Sequence, residues 1–311
     1  MRSKISFLLC WVVILICTAC TQQTTLENQE IRVIVSKDFG SETLHDQKMR
    51  LTENMSVMEI MEENFTIEIA YGGGFINGID GFKSGFTGMK DKKKIDWFYY
   101  VNGILAEVGS DEYELKPNDF IIWDYHHWNS AYGSSIIGAY PINFTNAYEG
   151  NPLEIEILYE KDYKQEGENL LKDLKKKGTN HIALEPLNGK ELKNGSMHSV
   201  VIGSWEKVSQ MSYVKEIYEN RGKTGLFFNM GTKIEVLNDQ GVRIKAYEKG
   251  AVIASVLKAY GEMGTLWMIT GNDQECIQKA AALIYRYPEQ IEGAFSVFVS
   301  KDEILRMPIK S

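Results

Sequence analysis

The sequence predicts an α+β protein in two unequal blocks, and three observations carry that expectation. Over residues 31–130, short β-like runs are separated by Gly and Asn turns, with one helical stretch among them. From residue 151 to 311 strands and helices alternate, which is the rhythm of an α/β layer structure. The intervening residues 131–150 are rich in Gly, Ser, Tyr and Asn and read as a connector. The 311-residue length sets the same prior, at about 150 residues per domain.

Before the first block lies an address. Arg2 and Lys4 form a positive n-region, Ile5 to Ile16 is almost unbroken apolar, and Thr18-Ala19 places small residues before Cys20. The apolar run is about a dozen residues, short of the roughly 20 needed to span a bilayer. Residues 1–19 therefore read as a secretory signal. Their end resembles a bacterial lipoprotein signal, with Cys17 at the position where that signal usually has Leu. The resemblance implies lipid on Cys20, a polar tether over residues 20–30, and a body held on the extracytoplasmic face of the cell membrane.

Within the first block, Ile31 to Val35 reads as a strand. Met55, Val57, Met58, Ile60 and Met61 fall at helical spacing, with Thr52 or Asn54 as caps. Strand-like runs follow at Phe65–Tyr71, Phe75–Ile79, Trp97–Leu105 and Phe120–Trp128. Gly72-Gly73-Gly74, Asn102-Gly103 and Pro117-Asn118-Asp119 punctuate them. In the second block Leu153–Tyr159 alternates as a strand and Glu168–Lys177 reads as a helix. Strands are expected at Ile182–Leu184, Val200–Gly203, Leu226–Phe228, Ile234–Val236 and Leu266–Thr270. Helices are expected at Ala251–Tyr260 and from Asp273, where Ile277, Ala280, Ala281 and Ile284 share one face.

Composition removes several functions. The chain holds 34 Lys+Arg and 42 Asp+Glu, a net charge of −8. Residues 1–19 hold two bases and no acid, so the balance beyond them is −10. Nucleic acid is not an expected partner of so acidic a chain. Three of the four cysteines belong to the export signal and its anchor at Cys20, and Cys276 alone remains for the body, so no internal disulfide forms there. There is no H-E-x-x-H, C-x-x-C or G-x-S-x-G, and Gly222-Lys223-Thr224 has Ile217 where a phosphate loop needs glycine. The protein is expected not to be an enzyme and to need no cofactor. The strand-to-helix turn at Gly271 is the one place where an acidic substrate could be held.

What the sequence offers instead is aromatic surface. On Trp97-Phe98-Tyr99-Tyr100, alternate rings point to opposite faces, as they do on Phe120 to Trp128. A domain of about 100 residues with one helix is not expected to bury both faces, so one set of rings should reach solvent or line a cleft. The order of these segments resembles the transcobalamin-like C-terminal domain family. Gly74-Phe75-Ile76-Asn77-Gly78 comes first, then Trp97-Phe98-Tyr99-Tyr100-Val101-Asn102-Gly103, Gly109 to Tyr113, and Pro117-Asn118-Asp119 before Ile121-Ile122-Trp123. The resemblance covers about residues 30–130. It implies a small β-rich domain that binds cobalamin or a related flat ligand, with a membrane transporter as the expected partner. The corresponding ligand contacts are Gly73, Gly74, Phe75, Tyr99, Asn102, Tyr125, His126, His127 and Trp128, with no metal site of the protein's own. The alternative reading is a cell-surface adhesion or scaffold module that uses the same rings against protein or glycan.

Overall fold

The computed structural model describes residues 29–311, apart from residues 53, 71–73, 130–132, 147, 190, 193–194, 260 and 311. The signal segment and Cys20 lie outside the described residues. The first block runs β1 (Glu30–Lys37), β2 (Glu42–Arg50), α1 (Val57–Asn64), β3 (Ile67–Ala70), β4 (Phe75–Ile79), β5 (Phe82–Lys83), β6 (Ile95–Val101), β7 (Ile104–Leu105) and β8 (Phe120–His127). Strands β2-β1-β8-β6-β7 form a five-stranded sheet in that order, and β3-β4-β5 form a small second sheet. β8 lies parallel to β1 and antiparallel to β6, and is therefore a central strand.

Helix α1 starts at Val57, two residues beyond Met55, where the helical spacing begins. Its cap is Ser56, whose hydroxyl accepts from the Glu59 N–H while the Glu59 carboxylate accepts from the Ser56 N–H. This reciprocal box satisfies two otherwise orphaned donors. Val57, Met58, Ile60 and Met61 then face one side of the five-stranded sheet, packed with Val33, Val35, Trp97, Tyr99, Val101, Ile121 and Trp123.

The second block contributes β9 (Ile155–Tyr159), α3 (Lys164–Lys176), β10 (Ile182–Pro186) and β11 (His198–Ser204), preceded by the short helix α2 (Ile142–Thr145). Three short helices follow, α4 (Trp205–Val208), α5 (Ser212–Glu219) and α6 (Arg221–Thr224). The chain continues through β12 (Phe228–Met230), β13 (Ile234–Leu237), β14 (Arg243–Tyr247), β15 (Ala251–Leu257), β16 (Thr265–Gly271), α7 (Gln274–Arg286), β17 (Ser296–Val299) and β18 (Ile304–Met307). A seven-stranded sheet has the order β10-β9-β11-β16-β15-β17-β18, parallel over its first four strands and antiparallel beyond. α3 and α7 cover one face over Ile157, Val200, Ile202, Ile253, Trp267 and Ile269.

Residues 251–257 overturn the expected helix. They form β15, hydrogen-bonded to β16 on one side and β17 on the other. Val252, Ile253 and Val256 are β-branched, and both faces of this strand are buried. A run with six apolar residues in seven, broken only by Ser255, is a two-sided strand as readily as a helix, and periodicity alone does not separate them.

The expectation that one ring face of the first block lies open is also overturned. Tyr100, Phe120 and Ile122 point away from α1 and are 0–5 % exposed. They are buried by the second block, in one cluster with Phe227, Phe228, Val252, Met268, Phe295 and Phe298. Residues 131–150 take part as well, for Ile136, Ile137 and Ala139 are buried. The Gly138 N–H donates to the Ala294 carbonyl at 2.9 Å and the Gly293 N–H to the Gly138 carbonyl at 3.1 Å. A Cβ on Gly138 would lie 2.2 Å from the Gly293 nitrogen, so only glycine fits that crossing. Arg32, which also pairs with Asp46 of its own block, reaches Glu292 across the same seam, as Lys310 reaches Asp38.

Candidate functional site

Of the nine residues singled out as ligand contacts, several are consumed by the fold. Asn102 is fully buried at a left-handed turn, with φ +53° at Asn102 and +83° at Gly103. Its Nδ2 donates to Asp119 Oδ1 at 2.9 Å and its Oδ1 accepts from the Phe120 N–H at 2.8 Å. Asparagine there locks the hairpin of β6 to the start of β8. Tyr99 stacks on Trp123 with ring centroids 4.9 Å apart, and its hydroxyl donates to the Val108 carbonyl. Burial drives the Tyr99 phenol well above its ordinary range, so it stays neutral.

The adjacent histidines divide sharply. His126 is 1 % exposed and lies between Phe39 and Phe98, with centroids 4.0 and 4.4 Å away. Nδ1 donates to the His127 carbonyl at 2.7 Å, and Nε2 accepts from the Tyr100 hydroxyl at 3.2 Å. Burial pushes its pKa down to about 3, so the ring is neutral, and neither nitrogen is open to a metal centre. His127 points to the other face and is half-buried. Its Nδ1 lies 3.1 Å from the Lys94 carbonyl and must carry the proton there, which leaves the lone pair on Nε2.

Gly73 lies outside the described residues. Gly74 backs onto Asp111, whose Oδ1 would sit 3.0 Å from an added Cβ, and half-buried Phe75 opens β4 opposite Ala70. Gly74 thus belongs to the Gly109–Asp111 corner.

That open end is where the remaining residues converge. Tyr125, His127 and Trp128 are half-buried, and the segment from Phe82 to Lys94 lies against them. The polar tips of the rings hold this segment in place. Tyr125 donates to the Lys83 carbonyl at 2.7 Å, Trp97 Nε1 to the Phe82 carbonyl at 2.7 Å, and the Trp128 N–H to the Lys94 carbonyl at 3.0 Å. Phe86 packs on Trp128 at 4.7 Å between centroids, and Phe82 reaches Tyr125 at 6.3 Å. Cations cover the outer rings: Lys37 Nζ sits 4.4 Å from the Phe82 centroid and Lys92 Nζ 4.8 Å from that of Phe86. Phe82 is 37 % and Met89 50 % exposed. Phe82, Phe86, Met89 and the lysines were not among the expected contacts. Their signal was the run Phe86-Thr87-Gly88-Met89-Lys90-Asp91-Lys92-Lys93-Lys94, which pairs apolar side chains with clustered charge.

Chemistry elsewhere is sparse. Cys276 is buried in α7, and burial raises its thiol to about 11, the state of an inert small hydrophobe. The Gly271 turn is capped by Asp273, which accepts from the Cys276 N–H and pairs with Lys249 at 2.9 Å. Inside the second block, Lys258 Nζ donates to Ser199 Oγ at 2.6 Å, and Ser199 donates on to Glu156. All three are buried and Ser199 is fully so, which makes the relay a polar clamp between strands. Among the described residues no group of three or more His, Cys, Asp or Glu is placed to hold a metal ion. Among them, too, no helix is long and apolar enough to cross a membrane.

Residues 54–127 match a family described as "Domain of unknown function (DUF4430)", which is related to transcobalamin-like domains. The match spans under a quarter of the chain. A solved structure of a candidate metal binding protein from Ruminococcus gnavus ATCC 29149 is 19 % identical, covering 32 % of this chain and 98 % of that one, with a TM-score of 0.26. No curated protein matches.

Proposed function

We propose that the protein is an extracytoplasmic, lipid-anchored binding protein that takes a flat ligand of the corrinoid class on the open end of β8. The observation that carries this reading is the contrast between the two ends of the aromatic rows. Tyr99, Tyr100 and Trp123 are locked in the core, whereas Phe82, Tyr125, His127 and Trp128 keep exposed surface on one ledge. A ledge of rings with an imidazole whose Nε2 lone pair is uncommitted by tautomer suits a planar macrocycle with a coordinating metal of its own. The relation of the matched segment to transcobalamin-like domains points the same way. Lipid on Cys20 would hold the body at the membrane, where a transporter could receive the ligand. No catalytic step and no resident cofactor are assigned.

Titration with cyanocobalamin, read by absorbance and by tryptophan fluorescence, tests this. Saturable binding at micromolar concentration is expected, weakened about tenfold or more in Trp128→Ala or Tyr125→Ala, the loss that removing one large ring at a binding hot spot brings. His127→Ala should in addition remove any shift of the corrinoid absorbance bands. No response from any corrinoid in the micromolar range refutes the reading.

A further inference from the structure

The proposed ledge does not account for the lysines beside it. Lys90, Lys92, Lys93 and Lys94 are exposed within five residues, with Asp91 the single acid among them. Among the described residues Lys90, Lys93 and Lys94 make no ion pair, and Lys92 caps the Phe86 ring. In a chain of net charge −8 this is a local reversal of sign. A polyanion would be repelled by most of the surface and drawn to this loop. The apolar neighbours Met89 and Phe82, half and one-third exposed, give the same patch a body for weakly polar faces.

The direction of the loop limits its partner. β1 and β8 run parallel, with Arg32 opposite Phe120 and Lys37 opposite Tyr125, and Ile95 sits opposite His127. The loop thus lies at the end of the sheet where β1 finishes. Glu30, where the tether joins, is at the other end, about 30 Å away at roughly 3.3 Å per residue. Ten residues from Cys20 to Glu30 reach at most about 35 Å. With lipid on Cys20, as the proposed function has it, the anchor and the loop touch one membrane only if the tether is drawn almost straight along the body. The loop otherwise faces away from the anchoring membrane.

We infer that the Lys90–Lys94 loop and the adjoining Phe82, Phe86 and Trp128 ledge form a docking surface for an anionic polysaccharide outside the membrane. The ring and thioether surfaces suit the apolar faces of sugar rings, and the ammonium groups suit phosphate or carboxylate substituents. Part of the affinity is then counter-ion release, so binding weakens steeply with salt.

The experiment uses the full chain beyond the signal, with heparin as anionic polysaccharide, dextran as neutral one, and phosphatidylglycerol-rich vesicles as anionic membrane. Heparin should bind at low salt while dextran does not, and its affinity should fall about tenfold or more between 50 and 200 mM salt. The Lys90→Gln/Lys92→Gln/Lys93→Gln/Lys94→Gln variant should lose that binding with an unchanged melting temperature. A Lys172→Gln/Lys175→Gln/Lys176→Gln variant on α3 removes similar charge elsewhere and should keep it. No heparin binding at low salt, equal loss in the two variants, or binding to vesicles without heparin binding overturns the inference. Repeating the cyanocobalamin titration on the four-lysine variant keeps the two ideas apart. An unchanged corrinoid response with heparin binding lost supports polyanion docking through the lysines, and joint loss assigns the lysines to the corrinoid ledge and overturns this inference. Heparin binding that survives where corrinoids fail to bind refutes only the proposed function.

Discussion

Asp124→Ala is expected to destabilise the protein by about 3–5 kcal/mol, the cost of two or three buried donors left unpaired. Asp124 is fully buried in the central strand β8. Its Oδ1 accepts from the Phe39 N–H at 2.8 Å, and its Oδ2 accepts from the Gly40 N–H at 2.7 Å and the Ser36 hydroxyl at 2.6 Å. The donors belong to a turn in which Asp38, Phe39 and Gly40 all have positive φ, at 53°, 58° and 73°. Two of these are not glycine, so the turn is costly and needs an external hold. The carboxylate supplies it, and the turn in exchange delivers Phe39 onto His126, Phe227 and Phe295 at the seam between the blocks. Thermal unfolding by circular dichroism measures the effect. A fall of about 10 °C is expected at this chain length, and a fall within error would show that the turn stands without Asp124.

The second large effect is on acid stability, through His126. Its pKa is about 3 in the folded protein against an ordinary 6.5, because burial disfavours the charged ring. Between those values the unfolded chain takes up a proton that the folded one refuses, so stability is full above about pH 6.5 and falls as the pH drops toward 3. At pH 4 the loss from this one group is about 3 kcal/mol, at 1.36 kcal/mol per unit. Asp124 works in the opposite sense. Burial raises it to about 6, so the folded state holds a proton that the unfolded chain has released, and acidification from pH 6 to 4 returns a similar amount. Total stability therefore mixes the two, and a difference measurement isolates the histidine. His126→Phe keeps the ring between Phe39 and Phe98 and removes the titration. Between pH 7 and pH 4, the unfolding free energy of the variant relative to the parent should shift by about 3 kcal/mol in the variant's favour. A pH-independent difference would mean that His126 titrates alike in both states. His198, also lowered to about 3 by burial and by nearby Lys258, gives an independent site for the same measurement.

The fold was largely legible where period and turn chemistry agreed. Ile277, Ala280, Ala281 and Ile284 marked the buried face of α7, and all four are under 2 % exposed. Of the parallel strands, β9 shows alternation, and β11 and β16 read as short apolar runs, as buried strands do. Residues 251–257 do not fit the expected helix because six apolar residues in seven, interrupted only by Ser255, carry no clear period, and only their place between β16 and β17 decides the matter. Ser56-x-x-Glu59 is the capping box in the sequence, but the helical spacing of apolar residues already begins at Met55, which draws the expected cap to Thr52 or Asn54. β2, β14, β17 and β18 went unread. β2 carries five charged or amide side chains and a histidine on an edge, so it shows little of the alternation that reveals a half-buried strand.

The site was legible in kind but not in place. Aromatic excess in the first block is real, but counting rings in one block could not reveal that the other block covers Tyr100, Phe120 and His126. Long-range packing of that sort leaves no local signature. The Asn102-Gly103 pair announced a turn, and the turn is its whole role here, with the amide spent on Asp119 and Phe120. Of the expected contacts outside the core, Tyr125, His127 and Trp128 keep exposed surface beside Phe82 and Phe86, on a segment that the ring tips hold down.

Native mass spectrometry of the protein purified from its own cell tests the central claim most directly. The account predicts a chain that begins at Cys20 and carries lipid there, together with a retained small molecule that is absent when Tyr125 and Trp128 are both alanine. A chain that retains residues 1–19 without lipid, or a retained ligand indifferent to that double substitution, would contradict it.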